Sequence, residues 1–360
     1  SLVETVLGSA GTETVTMLAG GTLAVSVVET VVGTADATAD VLRLIGNGTT
    51  VVASAIETVL GSAGTDTVTL TGSSTLAASS VETLVGGTGT DVVTLLGGGS
   101  MAVSAIETML GSTGTDVARI LGNGDLTVSL VETVLGTTAV ETVTMLGAGS
   151  LATSAVDTVI GSGSLSSDDS LQLLGSGTTA VSTIDSVTGS TGSDTVTMLA
   201  AGTLLTSAVE TVLGTGGGTD VLRLAGGGTA AIDGFATMLG STSTDTVTLL
   251  SAGTLAMSAI DTVVGSTATN DTLTYLGSGT TAVSQVETLL GSTGTDIARL
   301  LGASDLLVSG VETVMGSAGT DSVTMLSSGT LAVSVIETVI GTDSMSASDV
   351  LRFIGNGTTA

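Results

Sequence analysis

Short segments in which apolar and polar residues alternate recur along the chain, and they predict β-strands. The segment Thr67–Leu70 reads Thr-Val-Thr-Leu, a period-two alternation in which β-branched residues predominate. Comparable segments lie around residues 56–59 and 75–78, and the Gly-containing stretches 61–65 and 72–74 between them predict turns. An amphipathic helix is the weaker alternative, because 53 Gly and many Thr and Val disfavour helix.

The same arrangement returns about every 25 residues. In the unit 80–104, an apolar residue is followed by Glu-Thr, a Gly-rich first corner that ends in an acid, an alternating segment, a second Gly corner and a closing run of small apolar residues. The Glu-Thr position occurs 14 times, at residues 4, 29, 57, 82, 107, 132, 157, 185, 210, 236, 261, 287, 312 and 337. A fixed period of this length indicates a solenoid, whose thin units bury their apolar faces only by stacking.

We therefore predict an all-β fold, a parallel β-solenoid of the β-helix or β-roll kind. It would have 14 coils of about 25 residues, with about three short strands in each coil. Equivalent residues of successive coils would then lie directly above one another, at the spacing of about 4.8 Å between neighbouring strands.

A longer repeat is superimposed on the short one. Arg43 and Arg223 are 180 residues apart, as are Arg119 and Arg299, and residues 106–160 closely match residues 286–340. We predict two super-repeats of seven coils, 1–182 and 183–360, in one continuous solenoid. Neither end of the sequence has the polar cap that a free solenoid end needs, which predicts a segment of a longer chain or a subunit that stacks end to end.

Composition narrows the choice of partners. The chain has 33 Asp and Glu against five Arg and no Lys, for a net charge of −28. Nucleic acids and anionic membranes are therefore not expected as partners, since both require a basic surface. No apolar run reaches the roughly 20 residues of a membrane span, so no membrane insertion is expected. The absence of Cys excludes disulfides and thiolate chemistry.

Most of the acids occupy two positions of the repeat. The first, here called the landmark acid, is the Glu or Asp of the Glu-Thr position, and Ala236 is its only gap. The second, the corner acid, ends the first corner in every repeat. The corner acids are Glu13, Asp40, Asp66, Asp91, Asp116, Glu141, Asp169, Asp194, Asp220, Asp245, Asp271, Asp296, Asp321 and Asp349.

If each position formed a column, neighbouring carboxylates would repel by roughly 0.9 kcal/mol even in water. Three arrangements could offset this repulsion: bound cations, raised carboxylate pKa values, or Thr and backbone N–H donors placed between the carboxylates.

One of the corners resembles a known calcium-binding repeat. Gly86, Gly87, Gly89 and Asp91 lie in the order G-G-x-G-x-D-x-U-x, which is similar to the nonapeptide of the haemolysin-type, repeats-in-toxin family found in giant secreted bacterial surface proteins and adhesins. The resemblance implies Ca²⁺ held between turns by Gly carbonyls and Asp carboxylates. Carried over to the other repeats, it also implies Gly64, Asp66, Gly114, Asp116, Gly192, Asp194, Gly294, Asp296, Gly319 and Asp321 as calcium positions.

The resemblance is incomplete. Most repeats have Ser in place of the second Gly, and the motif occurs once per 25 residues instead of in tandem. An acidic turn without metal therefore remains the alternative, and we expect no other cofactor.

The five Arg share one position, three residues after a corner acid. They are Arg43, Arg119, Arg223, Arg299 and Arg352. We predict that they offset the acidic columns, either by lying across the neighbouring corner acids or by pairing with Asp125 and Asp305. Contact with a neighbouring fibre is the alternative.

Thr-x-Thr pairs such as Thr67 and Thr69 form a third array, with both hydroxyls on one face of the strand. A flat stack of such pairs resembles the ice-binding face of solenoid antifreeze proteins. The simpler interpretation is that Thr is a favourable residue on an exposed strand.

Catalysis is not expected, because a chain without His, Cys or Lys has only carboxylates for general acid–base work, and every repeat has the same ones. We predict instead a structural protein, extracellular and at a bacterial-type cell surface. It would form a filament, a surface layer or an adhesin stalk by stacking on itself head to tail, with cations as possible stabilisers. The alternative is a surface-binding module, for ice or for adhesion, that uses the Thr-x-Thr face.

Overall fold

A computed structural model describes residues 3–35, 39–163, 168–342 and 348–355. These residues form short parallel β-strands and no helix. The predicted class, an all-β parallel β-solenoid, is confirmed. The longer first corners of repeats 2, 7 and 14 include residues outside the described ranges.

Repeats 1 to 13 contribute three strands each, as predicted, and the described residues of repeat 14 contribute two. The first strands follow the Glu-Thr position and are β1 (Thr5–Leu7), β4 (Thr30–Val32), β7 (Thr58–Leu60), β10 (Thr83–Val85), β13 (Thr108–Leu110), β16 (Thr133–Leu135), β19 (Thr158–Ile160), β22 (Ser186–Thr188), β25 (Thr211–Leu213), β28 (Thr237–Leu239), β31 (Thr262–Val264), β34 (Thr288–Leu290), β37 (Thr313–Met315) and β40 (Thr338–Ile340).

The second strands begin at or just after the corner acid. They are β2 (Thr14–Thr16), β5 (Asp40–Leu44), β8 (Thr67–Leu70), β11 (Asp91–Leu95), β14 (Asp116–Ile120), β17 (Glu141–Met145), β20 (Ser170–Leu173), β23 (Asp194–Met198), β26 (Val221–Leu224), β29 (Asp245–Leu249), β32 (Thr272–Tyr275), β35 (Asp296–Leu300), β38 (Asp321–Met325) and β41 (Val350–Phe353).

The third strands carry the small apolar run. They are β3 (Gly21–Ser26), β6 (Thr50–Ser54), β9 (Ser74–Ser79), β12 (Gly99–Ser104), β15 (Gly124–Ser129), β18 (Ser150–Ser154), β21 (Gly177–Ser182), β24 (Thr203–Ser207), β27 (Gly228–Asp233), β30 (Thr254–Ser258), β33 (Gly279–Ser284), β36 (Ser304–Ser309) and β39 (Thr330–Ser334).

A turn of the solenoid contains two strands and not three. Strand β10 pairs in parallel with β8 and β12, so the chain returns to the same sheet at every second strand. Within each compact unit of the chain, odd-numbered strands form one sheet and even-numbered strands the facing one. One repeat therefore makes one and a half turns, and the 41 strands of the described residues amount to about 20 turns. The predicted count of 14 coils with three strands each is wrong.

The interior explains why two strands close a turn. The inward side chains are small, as in Val68, Leu84 and Val103, which occupy matching positions on neighbouring strands and are buried. Such side chains fill the space between two facing sheets, which pack about 10 Å apart. They would not fill the wider lumen of a three-sided coil.

Equivalent residues of successive repeats consequently do not stack. Asp66 directly precedes an even-numbered strand, Asp91 begins an odd-numbered strand, and Asp116 begins an even-numbered one. The prediction that they lie above one another on the same side is wrong.

Even repeats two apart are displaced along the strand. From Val92 the column of paired residues runs through Thr108 and Thr127 to Thr144. Thr142, the sequence equivalent of Val92 two repeats later, lies two residues earlier on the same strand. No position of the repeat therefore forms a straight column.

The chain divides into two compact units, Ser1–Gly175 with Thr179–Ile184 and Ser176–Thr178 with Asp185–Ala360. Each unit has the two-sheet construction described above. The division into super-repeats at residues 182 and 183 rests on internal sequence similarity and stays a prediction.

Three kinds of corner connect the sheets. The first and second corners are the Gly-rich stretches, and the third is a single residue in the left-handed region, such as Ala105 with φ of 52°. The carbonyl of this residue approaches the glycine that opens a first corner. A Cβ on Gly86 would lie 1.7 Å from the carbonyl oxygen of Ala105, so this position requires Gly.

Each unit has two kinds of edge. We call the corners that lead from an odd-numbered to an even-numbered strand the odd-to-even edge, and the others the even-to-odd edge. Along each edge the three kinds of corner follow one another in successive turns, which brings different parts of neighbouring repeats together.

Candidate functional site: the acidic edges

Twelve of the fourteen corner acids are buried at the edges of the solenoid, whereas Glu13 is partly exposed and Asp349 is exposed. Asp116 opens its strand with the side chain turned inward, and its exposed fraction is 0%. The carboxylate Oδ2 accepts hydrogen bonds from the N–H of Ser112, at 2.6 Å, and from its hydroxyl, at 3.0 Å. In all fourteen repeats the corner acid accepts such an N–H from its own first corner.

The second carboxylate oxygen distinguishes the two kinds of edge. On the odd-to-even edge, Oδ1 of Asp116 accepts the N–H of Gly99 from the preceding turn, at 3.2 Å. The same bond is made to Asp66, Asp169, Asp220, Asp271 and Asp321. On the even-to-odd edge, the corresponding oxygens of Asp40, Asp91, Glu141, Asp194 and Asp245 are buried without a hydrogen-bond partner. Asp296 departs from this pattern on the even-to-odd edge, because it accepts the N–H of Gly279. Glu13 departs from it on the odd-to-even edge, because its Oε2 is buried without a hydrogen-bond partner.

The landmark acids accept hydrogen bonds from the backbone N–H groups of the corner acids. Oε2 of Glu132 accepts the N–H of Asp116 at 2.7 Å, one turn away. In the described residues at least eleven such bonds join a landmark acid to the preceding corner acid, with N–O distances of 2.7 to 3.1 Å. The two predicted acidic columns are thus one interlocked ladder of carboxylates and N–H donors. Of the three arrangements considered above, the structure has the one in which donors lie between the carboxylates, with Ser in most first corners where Thr was expected.

Hydrogen bonding also sets the acidity of two of these groups. Burial by itself raises the pKa of Asp220, but the hydroxyl and N–H of Thr215 and the N–H of Gly202 together outweigh it and lower the pKa. The hydroxyl of Ser9 lowers the pKa of Glu13 in the same way. Elsewhere in the interior, burial raises the pKa of Tyr275 to about 12.

The predicted calcium positions alternate between the edges. Asp66, Asp116 and Asp321 lie on the odd-to-even edge, and Asp91, Asp194 and Asp296 on the even-to-odd edge. Within the described ranges, no group of three or more Asp, Glu, His or Cys is arranged to hold a metal ion. The calcium sites stay a prediction.

The glycines of these corners have a steric role. A Cβ on Gly64, Gly87 or Gly114 would lie within 3 Å of backbone atoms of the neighbouring turn. A Cβ on Gly89, Gly192, Gly294 or Gly319 would lie within 3 Å of side-chain atoms of that turn. Close packing of the first corner on a second corner therefore accounts for Gly at these positions.

The Arg do not pair as predicted. Arg119 lies on the exposed face of an even-numbered strand, whereas Asp125 lies on an odd-numbered strand in the facing sheet. The corner acids point inward, away from the Arg. No ion pair involves an Arg in the part of the chain that the structure describes, so the predicted pairing with Asp125 or Asp305 and with the corner acids is wrong.

The Thr-x-Thr pairs do not form a continuous face. From Thr67 the column passes to Thr83, Ala102 and Arg119. The Thr-x-Thr strands β17, β23 and β29 belong to one sheet, but two other strands lie between each of them and the next. On adjoining strands, residues such as Val52, Val85 and Ile160 match the second Thr of a pair.

One repeat departs from all the others at three of four adjacent positions, Asp233, Phe235 and Ala236. Residues 233–236 read Asp-Gly-Phe-Ala, where the repeat at 129–132 reads Ser-Leu-Val-Glu. A cavity of about 530 Å³ lies beside Ala236 and is lined in part by Asp233 and Phe235. The missing acid at Ala236 was predicted from the sequence, whereas the changes at Asp233 and Phe235, which were the further signal for a local site, were not used.

No protein-family model matches the chain, and no curated protein or solved structure is significantly similar to it. In the residues described above, no helix has the length and apolarity to cross a bilayer. Fold and edges together define a repeat protein of the parallel β-solenoid class.

Proposed function

We propose that the chain is a structural β-solenoid of an extracellular surface protein of bacterial type, which serves in a filament, a surface layer or an adhesin stalk. The observation that carries the proposal is the acid ladder. Both edges use the most abundant ionisable groups of the chain to hold one turn to the next. A role in building and stiffening the solenoid accounts for this repetition, whereas a single reactive site would not require it.

Self-association is the proposed partner interaction. In β41 the residues Leu351 and Phe353 are exposed, although Val323 and Met325, which occupy the same positions in β38, are buried. A further turn stacked on β41, from a longer chain or from a second copy, would cover them. The net charge of −28 supports the exclusion of nucleic acid and of anionic membranes from the proposed partners.

Negative-stain electron microscopy of concentrated protein tests the proposal. We expect fibres longer than one chain. Val350 and Ile354 donate their N–H groups to the neighbouring strand, so the alternate N–H of Leu351 points to the open side. Leu351→Pro should therefore block fibre growth and leave the fold intact, with Leu307→Pro in an interior strand as the control that damages the fold. Monodisperse wild-type protein at high concentration, or fibres that persist in Leu351→Pro, would contradict head-to-tail stacking.

Cation stabilisation is a separate part of the proposal. Ca²⁺ prefers six to eight oxygen ligands, and Oδ1 of Asp91 is buried without a donor, whereas both oxygens of Asp116 accept N–H groups. Millimolar Ca²⁺ should therefore raise the melting temperature of metal-free protein, and Asp91→Asn should reduce this rise more than Asp116→Asn does. An unchanged melting temperature in the wild type would rule out calcium.

The alternative function, surface binding through Thr-x-Thr, has less support, because the column of Thr50, Thr67 and Thr83 continues through Ala102, Arg119 and Leu135. Thermal hysteresis in a solution of the wild-type protein would be the observation in favour of ice binding.

A further inference from the structure

Irregular positions of the repeat meet at the cavity of about 530 Å³ beside Ala236, which we call the groove. Asp233 stands where the other repeats have Ser, Phe235 where they have Val or Ile, and Ala236 where they have the landmark acid, and all three line the groove. Gly216 and Gly218, from the longer first corner 214–220, line it as well. The stacking of turns does not require irregular positions to converge, so the groove is a candidate binding site.

The size of such grooves follows the side chains at two positions, the single residue of the third corner and the landmark residue. Four grooves measure about 120 Å³ with Leu130 and Glu132, about 220 Å³ with Ala105 and Glu107, about 350 Å³ with Ala259 and Asp261, and about 530 Å³ with Gly234 and Ala236. Sites for small molecules usually measure about 300 to 1,000 Å³. Gly at 234 and Ala at 236 therefore open a space of the size that a small molecule occupies.

The groove has an apolar base and one charged group. Ile232, Phe235, Leu249 and Leu255 line it and are buried. Asp233 is half-buried and is the only charged residue among the described residues that line the groove. A mostly apolar lining with one well-placed polar group is typical of a site that takes an amphiphilic small molecule.

The carboxylate of Asp233 can accept further hydrogen bonds. Its Oδ1 accepts the hydroxyl proton of Ser251, and no donor among the described residues reaches Oδ2. Asp233 forms no ion pair with the residues that the structure describes, and a partly buried carboxylate is stabilised by a cation that donates to it. Neighbouring repeats have the neutral Ser207 and Ser258 at this position, so the charge is specific to this groove.

We propose that the groove binds a small organic ammonium ion, whose charged group donates to Asp233 and whose hydrocarbon part lies on the apolar base. A metal ion would make no use of the apolar base, and an anion would be repelled by the carboxylate. This binding site goes beyond the proposed structural function and does not depend on it.

Ligand-observed NMR titrations with butylamine, butan-1-ol and methylamine test the site, at about 0.15 M salt to screen the net charge of the chain. The wild type should bind butylamine about fivefold or more tightly than butan-1-ol, which lacks the charge, and than methylamine, which lacks the hydrocarbon part.

Two variants of the groove separate charge from space. Asp233→Ser installs the residue of the other repeats and should weaken butylamine binding by about fivefold or more, without a change for butan-1-ol. Ala236→Gln has the length of the usual landmark Glu without its charge. It should weaken the binding of both ligands by about tenfold, because it fills the groove.

Asp305→Ser is the matched control, since it removes the same charge from an exposed position outside the groove, where equivalent repeats have Ser100 and Ser150. It should change butylamine binding by less than about twofold. Absence of saturable butylamine binding to the wild type, butan-1-ol binding as tight as that of butylamine, or equal losses in Asp233→Ser and Asp305→Ser would each overturn the proposal.

Discussion

Two stretches of the odd-to-even edge, one at Asp116 and one at Asp220, share the hydrogen bonds of the corner acid but differ in the landmark residue. In both, the corner acid accepts an N–H and a hydroxyl from its own corner and an N–H from the preceding turn. Only the first has a landmark carboxylate above the corner acid, from Glu132, whereas Ala236 leaves a groove. The comparison separates two tasks that the repeat otherwise combines: the corner acid closes the corner, and the landmark acid fills the edge and satisfies one N–H.

The largest expected effect concerns the glycine that opens each corner. A Cβ on Gly111 would lie 1.7 Å from the carbonyl oxygen of Leu130, whereas a Cβ on Gly214 would lie 2.7 Å from that of Gly234. Gly111→Ala should lower the free energy of local unfolding by about 3 kcal/mol or more, because backbone must move. Gly214→Ala should cost clearly less. Hydrogen exchange of the amides in the adjoining strands measures both, and equal costs would show that this contact is relaxed in solution.

Removal of a corner acid should come next. Asp116→Ala leaves the N–H groups of Ser112 and Gly99 without their buried acceptor, and we expect a loss of about 2 to 3 kcal/mol. Asp220→Ala should cost a similar amount, since the same bonds are present there. Asp125→Ala, at an exposed position on the outer face, is the control and should be nearly neutral in urea denaturation. A large effect of the control would point to charge in general instead of these bonds.

Substitution of a landmark residue should change the free energy of local unfolding by a smaller amount, with a loss of stability at Glu132 and a gain at Ala236. Glu132→Ala should destabilise its turn by about 1 to 2 kcal/mol, because a buried N–H loses its acceptor and the groove opens. Ala236→Glu should stabilise its own turn by about 1 kcal/mol. Slower amide exchange of Asp220 in Ala236→Glu is the specific readout, and unchanged exchange there would contradict the assigned role.

A lower pH should have the smallest effect on stability, and this effect should be local. The pKa of Asp220 is lowered in the folded protein, so its contribution to stability is complete above the pKa of the unfolded chain and is lost as the pH falls through the folded value. Opening of the turn at Thr215 should therefore increase in strongly acidic solution. Asp220→Asn should lack this dependence, and a pH dependence that survives in the variant would assign it to another group.

The strands and the fold class could be predicted because they depend on local patterns. Thr67–Leu70 alternates and is a strand with the predicted bounds, although the strand expected around 56–59 is Thr58–Leu60. The number of strands in a turn could not be read in this way. A sequence period records when a pattern recurs, whereas pairing depends on where the chain closes on itself, and Thr83 pairs with Thr67 and Ala102 from different parts of the repeat.

The sequence pattern predicted which acids recur in every repeat but not what they contact. The periodicity of the sequence predicts the corner and landmark acids. Their partners, however, are mostly backbone N–H groups, which occur at every non-proline residue, so the sequence does not show which of them donates to which acid. The pairing of Glu132 with the N–H of Asp116 requires knowledge of which corners meet at an edge. The anomaly at 233–236, in contrast, is visible in the sequence as a lapse of the period.

Because each repeat makes one and a half turns, equivalent strands of successive repeats lie in opposite sheets. Loss or duplication of one 25-residue segment by recombination would leave every strand with neighbours of its usual kind, so the fold would survive. All later side chains would nevertheless pass to the opposite face, and only an even number of segments would restore them. A surface feature confined to one face can therefore spread along such a protein only by copying the segments in pairs.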